Sequence, residues 1–234
     1  MVKHGADGKV NPILFELSTI YQMFLTLNKA FGPQHWWPAE SPFEVIIGAI
    51  LTQNTAWGNV EKALVNLKEA GIFTPQALYQ TDLQTLSFLV RPAGYFNQKA
   101  RKIKNFLDFL FLNYEGELPR MWQESLESLR GKLLQVSGIG EETADSILLY
   151  AGGKPIFVVD AYTKRVVKRH RLVEAKANYS EVQRLFMENL PEDTGLYNEY
   201  HALLVRLGKE FCGKREAICQ RCSLRGYLNR EKEG

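Results

Sequence analysis

The segment LLQVSGIGEETADSILLYAGGKPIFVVD, residues 133–160, decides the fold. At its centre is a short turn with two glycines, and the residues on both sides repeat with the three- and four-residue spacing of a helix. The apolar positions are Leu129, Leu133, Leu134 and Val136 before the turn and Ala144, Ile147, Leu148 and Ala151 after it. The pattern predicts two helices joined by a glycine hairpin, followed by an apolar run that ends at a single acid, Asp160.

The hairpin Ser137-Gly138-Ile139-Gly140 is suited to binding an anion. Glycine accepts positive φ angles and has no side chain, so another molecule can approach the backbone closely. The first N–H groups of the following helix then point at one site, and a phosphate group fits that site. A plain turn is nevertheless the commoner role of Gly-x-Gly between helices.

Asp160 has two interpretations. An Asp at the start of a helical pattern commonly caps that helix. However, Val158 and Val159 put the carboxylate beside the core, where a charged group needs a specific reason to be.

The composition is that of a globular chain: 234 residues, of which 45% are hydrophobic and 24% are charged. No run of about 18 apolar residues occurs, and the polar start MVKHGADGKVNP differs from a signal peptide, so we expect a cytoplasmic protein. The net charge is +3, but residues 91–171 hold 14 basic against 9 acidic residues. That excess favours a polyanionic partner modestly, and a solvated helix surface explains it equally well.

Helical patterns fill the chain and predict an all-α protein of about ten helices. Ser41 and Pro42 form a capping pattern that predicts the start of a buried helix, and Thr81 with Gln84 predicts another start. The only strand-like candidate, IFVVDAYTKRVV at 156–167, has no obvious hairpin partner. We interpret it as a turn that enters another helix.

The order of these motifs resembles the helix-hairpin-helix plus Asp signature of the endonuclease III superfamily of DNA glycosylases. Three further stretches are similar to the family in the same order: ILTQNT at 50–55, GYFNQKARKI at 94–103 and GELP at 116–119. The likeness covers roughly residues 40–225. It implies a monomeric, nucleoid-associated enzyme that binds double-stranded DNA containing damaged bases.

The resemblance also implies two all-helical lobes with a DNA-binding cleft between them. Residues 33–154 would form the central lobe with the hairpin, and residues 1–32 plus 155–234 would form the second lobe. Asp160 would be the catalytic carboxylate, at the mouth of the cleft.

The resemblance implies which residues of this chain contact DNA. Gly138, Ile139 and Gly140 would bind the DNA backbone, and Gln53 would enter the space left by a displaced base. A surface position on a helix is the alternative role of Gln53.

Glu142 stands where the strand-cutting members of the family have a lysine. A lysine amine forms a Schiff base with the sugar, whereas a carboxylate cannot form an imine. The resemblance therefore implies hydrolysis of the N-glycosidic bond without strand cleavage. Glu142 has two possible roles, favourable interaction with the helix dipole or a place in the base pocket.

The stretch WWP at 36–38, with Trp57, is similar to the 3-methyladenine DNA glycosylases of the endonuclease III-like branch. That likeness implies that Trp36 and Trp57 sandwich the base, while Trp37 and Pro38 shape the wall. Electron-rich indoles attract the positive charge of an alkylated purine. Aromatic clusters are, however, usually part of a core, and three alternatives remain: a thymine or uracil mismatch substrate, an oxidised base, or a non-catalytic DNA-binding protein.

The cysteines Cys212, Cys219 and Cys222 match the first three positions of the family's iron–sulfur loop, but Leu228 stands at the fourth. A four-iron or three-iron cluster with incomplete cysteine ligation, complete loss of the cluster, and zinc all remain open. Nearby basic residues would contact the DNA backbone in each case.

Overall fold

The computed structural model describes residues 18–228, and within this range it has twelve α-helices and no β-strand. A single isolated bridge pairs Cys212 with Ala217. The all-α fold predicted from the sequence is confirmed. None of the described helices is both long and apolar enough to span a lipid bilayer.

The chain divides into two compact units. Residues Trp37–Lys154 form the first, which we call the hairpin unit. The described residues up to Trp36 and from Pro155 onwards form the second, which we call the terminal unit.

The hairpin unit contains eight α-helices. They are α2 (Pro42–Leu51), α3 (Trp57–Glu69), α4 (Pro75–Gln80), α5 (Leu83–Leu89), α6 (Phe96–Tyr114), α7 (Leu118–Met121), α8 (Leu126–Gln135) and α9 (Glu141–Ser146). A 3₁₀ turn, Arg91–Ala93, precedes α6, and a π-helical turn, Ile147–Ala151, continues α9.

Helix α2 begins as the sequence predicts. Ser41 is the N-cap and its Oγ accepts the N–H of Glu44 at 3.2 Å, while Pro42 occupies the first helical position. Every residue from Phe43 to Leu51 is buried, so α2 is the central helix of this unit.

The predicted start of α5 is wrong by one residue. Thr81 does not cap the helix, because its hydroxyl donates to the carbonyl of Ala77 at the end of α4, at 2.7 Å. Asp82 is the cap instead, and its Oδ1 accepts the N–H of Thr85 at 2.9 Å. A threonine between two helices can serve either of them, and the sequence does not show which.

The terminal unit contains α1 (Thr19–Phe31), α10 (Ala161–Arg169), α11 (Tyr179–Asn189) and α12 (Thr194–Glu210). Two 3₁₀ turns follow, Cys219–Arg221 and Arg225–Tyr227. An aromatic core joins these helices. Phe157 and Phe186 stack with ring centroids 4.0 Å apart, and the buried hydroxyl of Tyr200 donates to the carbonyl of Ile20 at 3.0 Å.

Candidate active site

The hairpin lies between α8 and α9, and a partly buried ion pair joins these helices. Asp145 of α9 has no exposed surface, and its carboxylate oxygens accept bonds from Arg130 of α8, 2.7 Å from Nε and 3.1 Å from Nη2. A guanidinium that binds a carboxylate through two parallel bonds sets orientation as well as distance. The pair therefore fixes the orientation of the two helices on either side of the turn.

The two glycines of the hairpin differ in backbone conformation and in the space around them. Gly138 has φ +93°, and a Cβ there would come within 2.9 Å of Cδ of Lys102, whose stem crosses the turn. Gly140 is the N-cap of α9 and has an extended backbone with φ −96°. Beyond the adjoining main chain, no described protein atom lies within 4 Å of a Cβ built on Gly140. The fold requires glycine at position 138, whereas the space over Gly140 is open to another molecule.

Ile139 anchors the turn. Its side chain is only 4% exposed, and its N–H donates to the carbonyl of Val136 at 3.0 Å. The DNA contact predicted for Ile139 is therefore limited to its main chain, and it stays a prediction.

Gln53 follows the C-terminus of α2, and its side chain is bound to the hairpin. Its Nε2 donates to Oγ1 of Thr143 at 2.9 Å and to the carbonyl of Gly138 at 3.2 Å. Its Oε1 accepts a bond from Nζ of Lys102. The structure thus brings Gln53 and the first hairpin glycine together. Insertion of Gln53 into a duplex stays a prediction, and it would break these bonds.

Three aromatic side chains of the hairpin unit, Trp37, Trp57 and Tyr150, form what we call the aromatic cluster. The ring centroids of Trp37 and Trp57 are 5.2 Å apart in edge-to-face geometry, and Trp37 and Tyr150 are also 5.2 Å apart. Both indoles are in van der Waals contact with a Cβ built on Gly48 of α2, at 3.4 to 3.5 Å. Nε1 of Trp57 donates to Glu61 at 2.8 Å, which orients that ring.

Sequence reasoning missed Tyr150. It lies in the π-helical turn Ile147–Ala151. The extra residue in a π-turn changes which face of the helix the following side chains occupy, and such turns recur at functional sites. Because the helical period of 3.6 residues fails there, no pattern in the sequence predicts the direction of Tyr150.

The other residues predicted for the base pocket are not among the three members of the aromatic cluster. Trp36 is the last residue of the first segment of the terminal unit and is half-buried, and Pro38 is exposed. Glu142 is exposed in the first turn of α9, where a carboxylate interacts favourably with the helix dipole. The sandwich of a base between Trp36 and Trp57 stays a prediction.

An extended segment leads to Asp160 in the terminal unit, and side chains rather than a strand bind its backbone. Nε2 of Gln183 donates to the carbonyl of Phe157 at 2.7 Å, and the N–H of Val159 donates to the hydroxyl of Tyr179 at 3.3 Å. Buried backbone groups need such partners. This explains how an apolar run without a strand partner can cross the core.

Asp160 is the N-cap of α10. Its Oδ1 accepts the N–H of Thr163 at 2.7 Å. Val158 and Val159 are buried, as the sequence predicts, and the side chain of Asp160 is 14% exposed. Capping uses one carboxylate oxygen, so the capping role and a chemical role are compatible.

The second oxygen of Asp160 faces a histidine that the sequence did not indicate. Nε2 of His201 on α12 lies 3.7 Å from Oδ2 of Asp160. Burial lowers the pKa of His201 below its ordinary value, although the nearby charge of Asp160 acts to raise it. The imidazole of His201 is therefore neutral at neutral pH. The only sequence signal was a polar residue inside an apolar helical pattern.

Two lysines close to Asp160 in sequence have partners within their own units. Nζ of Lys154 donates to the carbonyls of Trp122 at 3.2 Å and Glu124 at 2.6 Å. Nζ of Lys164 lies 5.2 Å from the centroid of the Tyr179 ring.

The three cysteines line one small cavity near the C-terminal end of the described chain. Cys212 is buried, Cys219 and Cys222 are half-buried, and Leu228 lies in the same lining. Sγ of Cys212 accepts a bond from Nη1 of Arg169 at 3.1 Å, and burial raises the pKa of the Cys222 thiol. A four-iron cluster takes four thiolates. The cavity has three thiols, and among the described residues no group of three or more ligand side chains is arranged to hold a metal, so a cluster at this loop stays a prediction.

Comparison with known proteins shows the family of the chain. A family model described as HhH-GPD superfamily base excision DNA repair protein matches residues 47–192. A putative DNA repair glycosylase of Methanocaldococcus jannaschii is 45% identical over 210 residues, which are 89% of this chain and 94% of that protein. Endonuclease III of Thermotoga maritima is 31% identical over 186 residues, covering 80% of this chain and 82% of that protein.

A solved structure is similar as well. The crystal structure of the H. pylori 3-methyladenine DNA glycosylase bound to 1,N6-ethenoadenine has a TM-score of 0.72 and 28% identity, and the match covers 82% of this chain and 97% of that chain. The resemblance to the endonuclease III superfamily is thereby confirmed. The chain belongs to the HhH-GPD superfamily of base excision DNA repair proteins.

Proposed function

We propose that this protein is a monofunctional DNA glycosylase that acts as a monomer on double-stranded DNA in the cytoplasm. It hydrolyses the N-glycosidic bond of alkylated purines, 3-methyladenine foremost, and leaves an abasic site. The observation that carries the proposal is the environment of Asp160. One carboxylate oxygen caps α10, 2.7 Å from the backbone nitrogen of Thr163, and the side chain is still 14% exposed.

Asp160 is suited to hydrolysis of a glycosidic bond. As the base leaves, the sugar acquires positive charge, and a preorganised carboxylate stabilises that charge. The same carboxylate orients the attacking water and accepts its proton, which is general base catalysis worth about 10²–10⁴-fold. The bond between sugar and base breaks, water supplies the oxygen at the sugar carbon, and the departing base keeps the bonding electrons.

The hairpin supplies DNA binding without sequence preference. The space over Gly140 is open, and Gly140 is the N-cap of α9, where the first N–H groups of the helix have no partner within the helix. A phosphate in that position would be bound by main-chain donors, and phosphate contacts set position rather than sequence. Lys102, which crosses Gly138, adds positive charge beside the turn.

The aromatic cluster supports an alkylated purine as the substrate. An alkylated purine carries positive charge, and the face of an indole attracts a cation by about 0.5–2 kcal/mol. Trp57 is half-buried and its orientation is fixed by Glu61, so it can offer a stacking surface at little entropic cost. The name of the H. pylori relative, a 3-methyladenine DNA glycosylase, points the same way.

The chemistry of one glutamate and two lysines favours base release without strand cleavage. Glu142 stands where an amine would be needed to form a Schiff base, and a carboxylate cannot form one. Lys154 is bound by two backbone carbonyls and Lys164 by the ring of Tyr179.

Chromatography of the bases released from methylated genomic DNA tests the substrate. We expect 3-methyladenine among the products. Duplexes with a thymine or uracil mismatch or with an oxidised base serve as parallel substrates, and release from these alone would contradict the alkylpurine assignment. DNA binding without release of any base would favour a non-catalytic protein.

Treatment of the product tests the monofunctional assignment. We expect the strand to remain whole until alkali or heat cuts it at the abasic site, and borohydride to trap no covalent complex. A protein–DNA band that survives denaturation after borohydride would contradict this part, and mapping the modified lysine would identify the amine.

A further inference from the structure

Helices α10 and α12 pack against each other in the terminal unit. Asp160 at the start of α10 faces His201, and further along Nη2 of Arg165 donates to the carbonyl of Gly208 at 3.3 Å. Tyr162 packs directly on Gly208, where an added Cβ would lie 2.8 Å from Cβ of Tyr162. Glycine at position 208 therefore allows the close approach that puts His201 within reach of Asp160.

The two oxygens of Asp160 meet groups from two different helices. Oδ1 accepts the N–H of Thr163, which belongs to α10 itself, at 2.7 Å. Oδ2 lies 3.7 Å from Nε2 of His201, which belongs to the 17-residue helix α12. His201 is 5% exposed, so its ring is enclosed by packing and has little freedom to turn away.

We propose that His201 is the positioning residue of Asp160, donating its Nε2–H to Oδ2 so that the carboxylate is held by one donor from each helix. The inference rests on the proposed function, in which Asp160 is the catalytic carboxylate. The distance of 3.7 Å exceeds that of a direct hydrogen bond, about 2.7–3.2 Å, so an approach of less than about 1 Å completes the contact.

The second donor has a mechanistic purpose. A carboxylate held by one oxygen can rotate about its terminal torsion, whose energy wells are broad. Displacement of a reacting group by about 1 Å can cost about 100-fold in rate. A neutral donor restrains this rotation and leaves the negative charge available to the sugar, whereas a cationic partner would neutralise part of it. Burial, which lowers the pKa of His201, keeps the imidazole neutral.

Two variants of His201 separate positioning from packing. His201→Gln retains a neutral N–H donor near the position of Nε2, and His201→Leu fills similar volume without a donor. We expect His201→Leu to slow single-turnover base release from methylated DNA at least about tenfold, and His201→Gln to recover the rate to within about threefold of wild type. The Kd for a duplex with an abasic-site analogue should change less than about threefold in both variants. Wild-type rates in His201→Leu, or equal losses in both variants, would overturn the proposal.

The wild-type protein gives a second test that no folding defect can obscure. The chain has four histidines, so long-range proton–nitrogen correlation spectra of histidine-labelled protein can be assigned by substitution. We expect His201 to be neutral at pH 7 with its proton on Nε2. A proton on Nδ1 alone would overturn the proposal, because Nε2 would then have nothing to donate.

Failure of the inference and failure of the proposed function give different results. If wild-type protein releases no base, or if Asp160→Asn releases it at the wild-type rate, the proposed function fails. If wild-type activity depends on Asp160 but His201→Leu is as active as wild type, only the role of His201 fails.

Discussion

Single alanine substitutions at Gly138 and Gly140 should separate the requirements of the fold from those of DNA binding. The two positions lie in the same turn but differ in structure. Gly138 has φ +93° and lies under the stem of Lys102, whereas Gly140 has φ −96° and, beyond the adjoining main chain, no described atom within 4 Å of an added Cβ.

The expected costs follow from these differences. Gly138→Ala strains the backbone by about 1–3 kcal/mol and adds overpacking against Lys102 of about 1–3 kcal/mol, so the free energy of unfolding should fall by about 2–6 kcal/mol. Gly140→Ala gains about 0.4–1 kcal/mol by restricting the unfolded chain but loses a comparable amount because alanine is a poor N-cap. The free energy of unfolding of Gly140→Ala should therefore stay within about 1 kcal/mol of wild type.

Urea unfolding, monitored by circular dichroism, measures the free energy of unfolding. Fluorescence anisotropy with an undamaged duplex measures DNA affinity. We expect Gly140→Ala to bind all duplexes more weakly while it remains as stable as wild type, since its methyl group occupies the space proposed for a phosphate. The reasoning is refuted if Gly140→Ala binds undamaged DNA as tightly as wild type, or if its weakened binding is confined to damaged DNA.

Three further substitutions have defined outcomes. Asp145→Asn leaves Arg130 without its buried counter-charge and should cost about 3–5 kcal/mol in urea unfolding; a loss below about 1 kcal/mol would contradict the role given to this pair. Burial lowers the pKa of Lys99 to about 8. Between about pH 8 and 10.5 the unfolded chain therefore binds a proton that the folded chain does not. The free energy of unfolding should rise through this window by up to about 3 kcal/mol, compared with that of the Lys99→Met variant. An unchanged stability difference between pH 7 and pH 10 would show that Lys99 is not desolvated. Trp57→Ala should weaken lesion binding by about 1–3 kcal/mol more than binding to undamaged DNA, and equal losses would make Trp57 purely structural.

Local chemistry made the hairpin predictable. Glycine spacing and helical periodicity indicate both hairpin helices, and Ser41 with Pro42 indicates the start of α2, because each signal lies within one turn of the element it specifies. Val158 and Val159 likewise indicated that Asp160 adjoins the core.

Contacts between separate helices were not predictable in the same way. Lys102 crosses Gly138 and His201 faces Asp160 only because distant segments pack together, and no local pattern encodes such a pairing. Tyr150 was missed because a π-turn interrupts the helical period. The alternative role given to Asp160, helix capping, is present in the structure, and its catalytic role stays a prediction.

The measurement that tests the central claim most directly is single-turnover release of base from methylated DNA by Asp160→Asn. Asparagine caps a helix as well as aspartate does, so Oδ1 can still accept the N–H of Thr163 and the fold should be preserved. The substitution removes the negative charge and puts an amide nitrogen in place of Oδ2, the oxygen that faces His201.

We expect Asp160→Asn to release 3-methyladenine at least about 100-fold more slowly than wild type, with unchanged circular dichroism and unchanged affinity for undamaged DNA. A correctly folded Asp160→Asn variant that releases the base at the wild-type rate would contradict the assignment of Asp160 as the catalytic carboxylate.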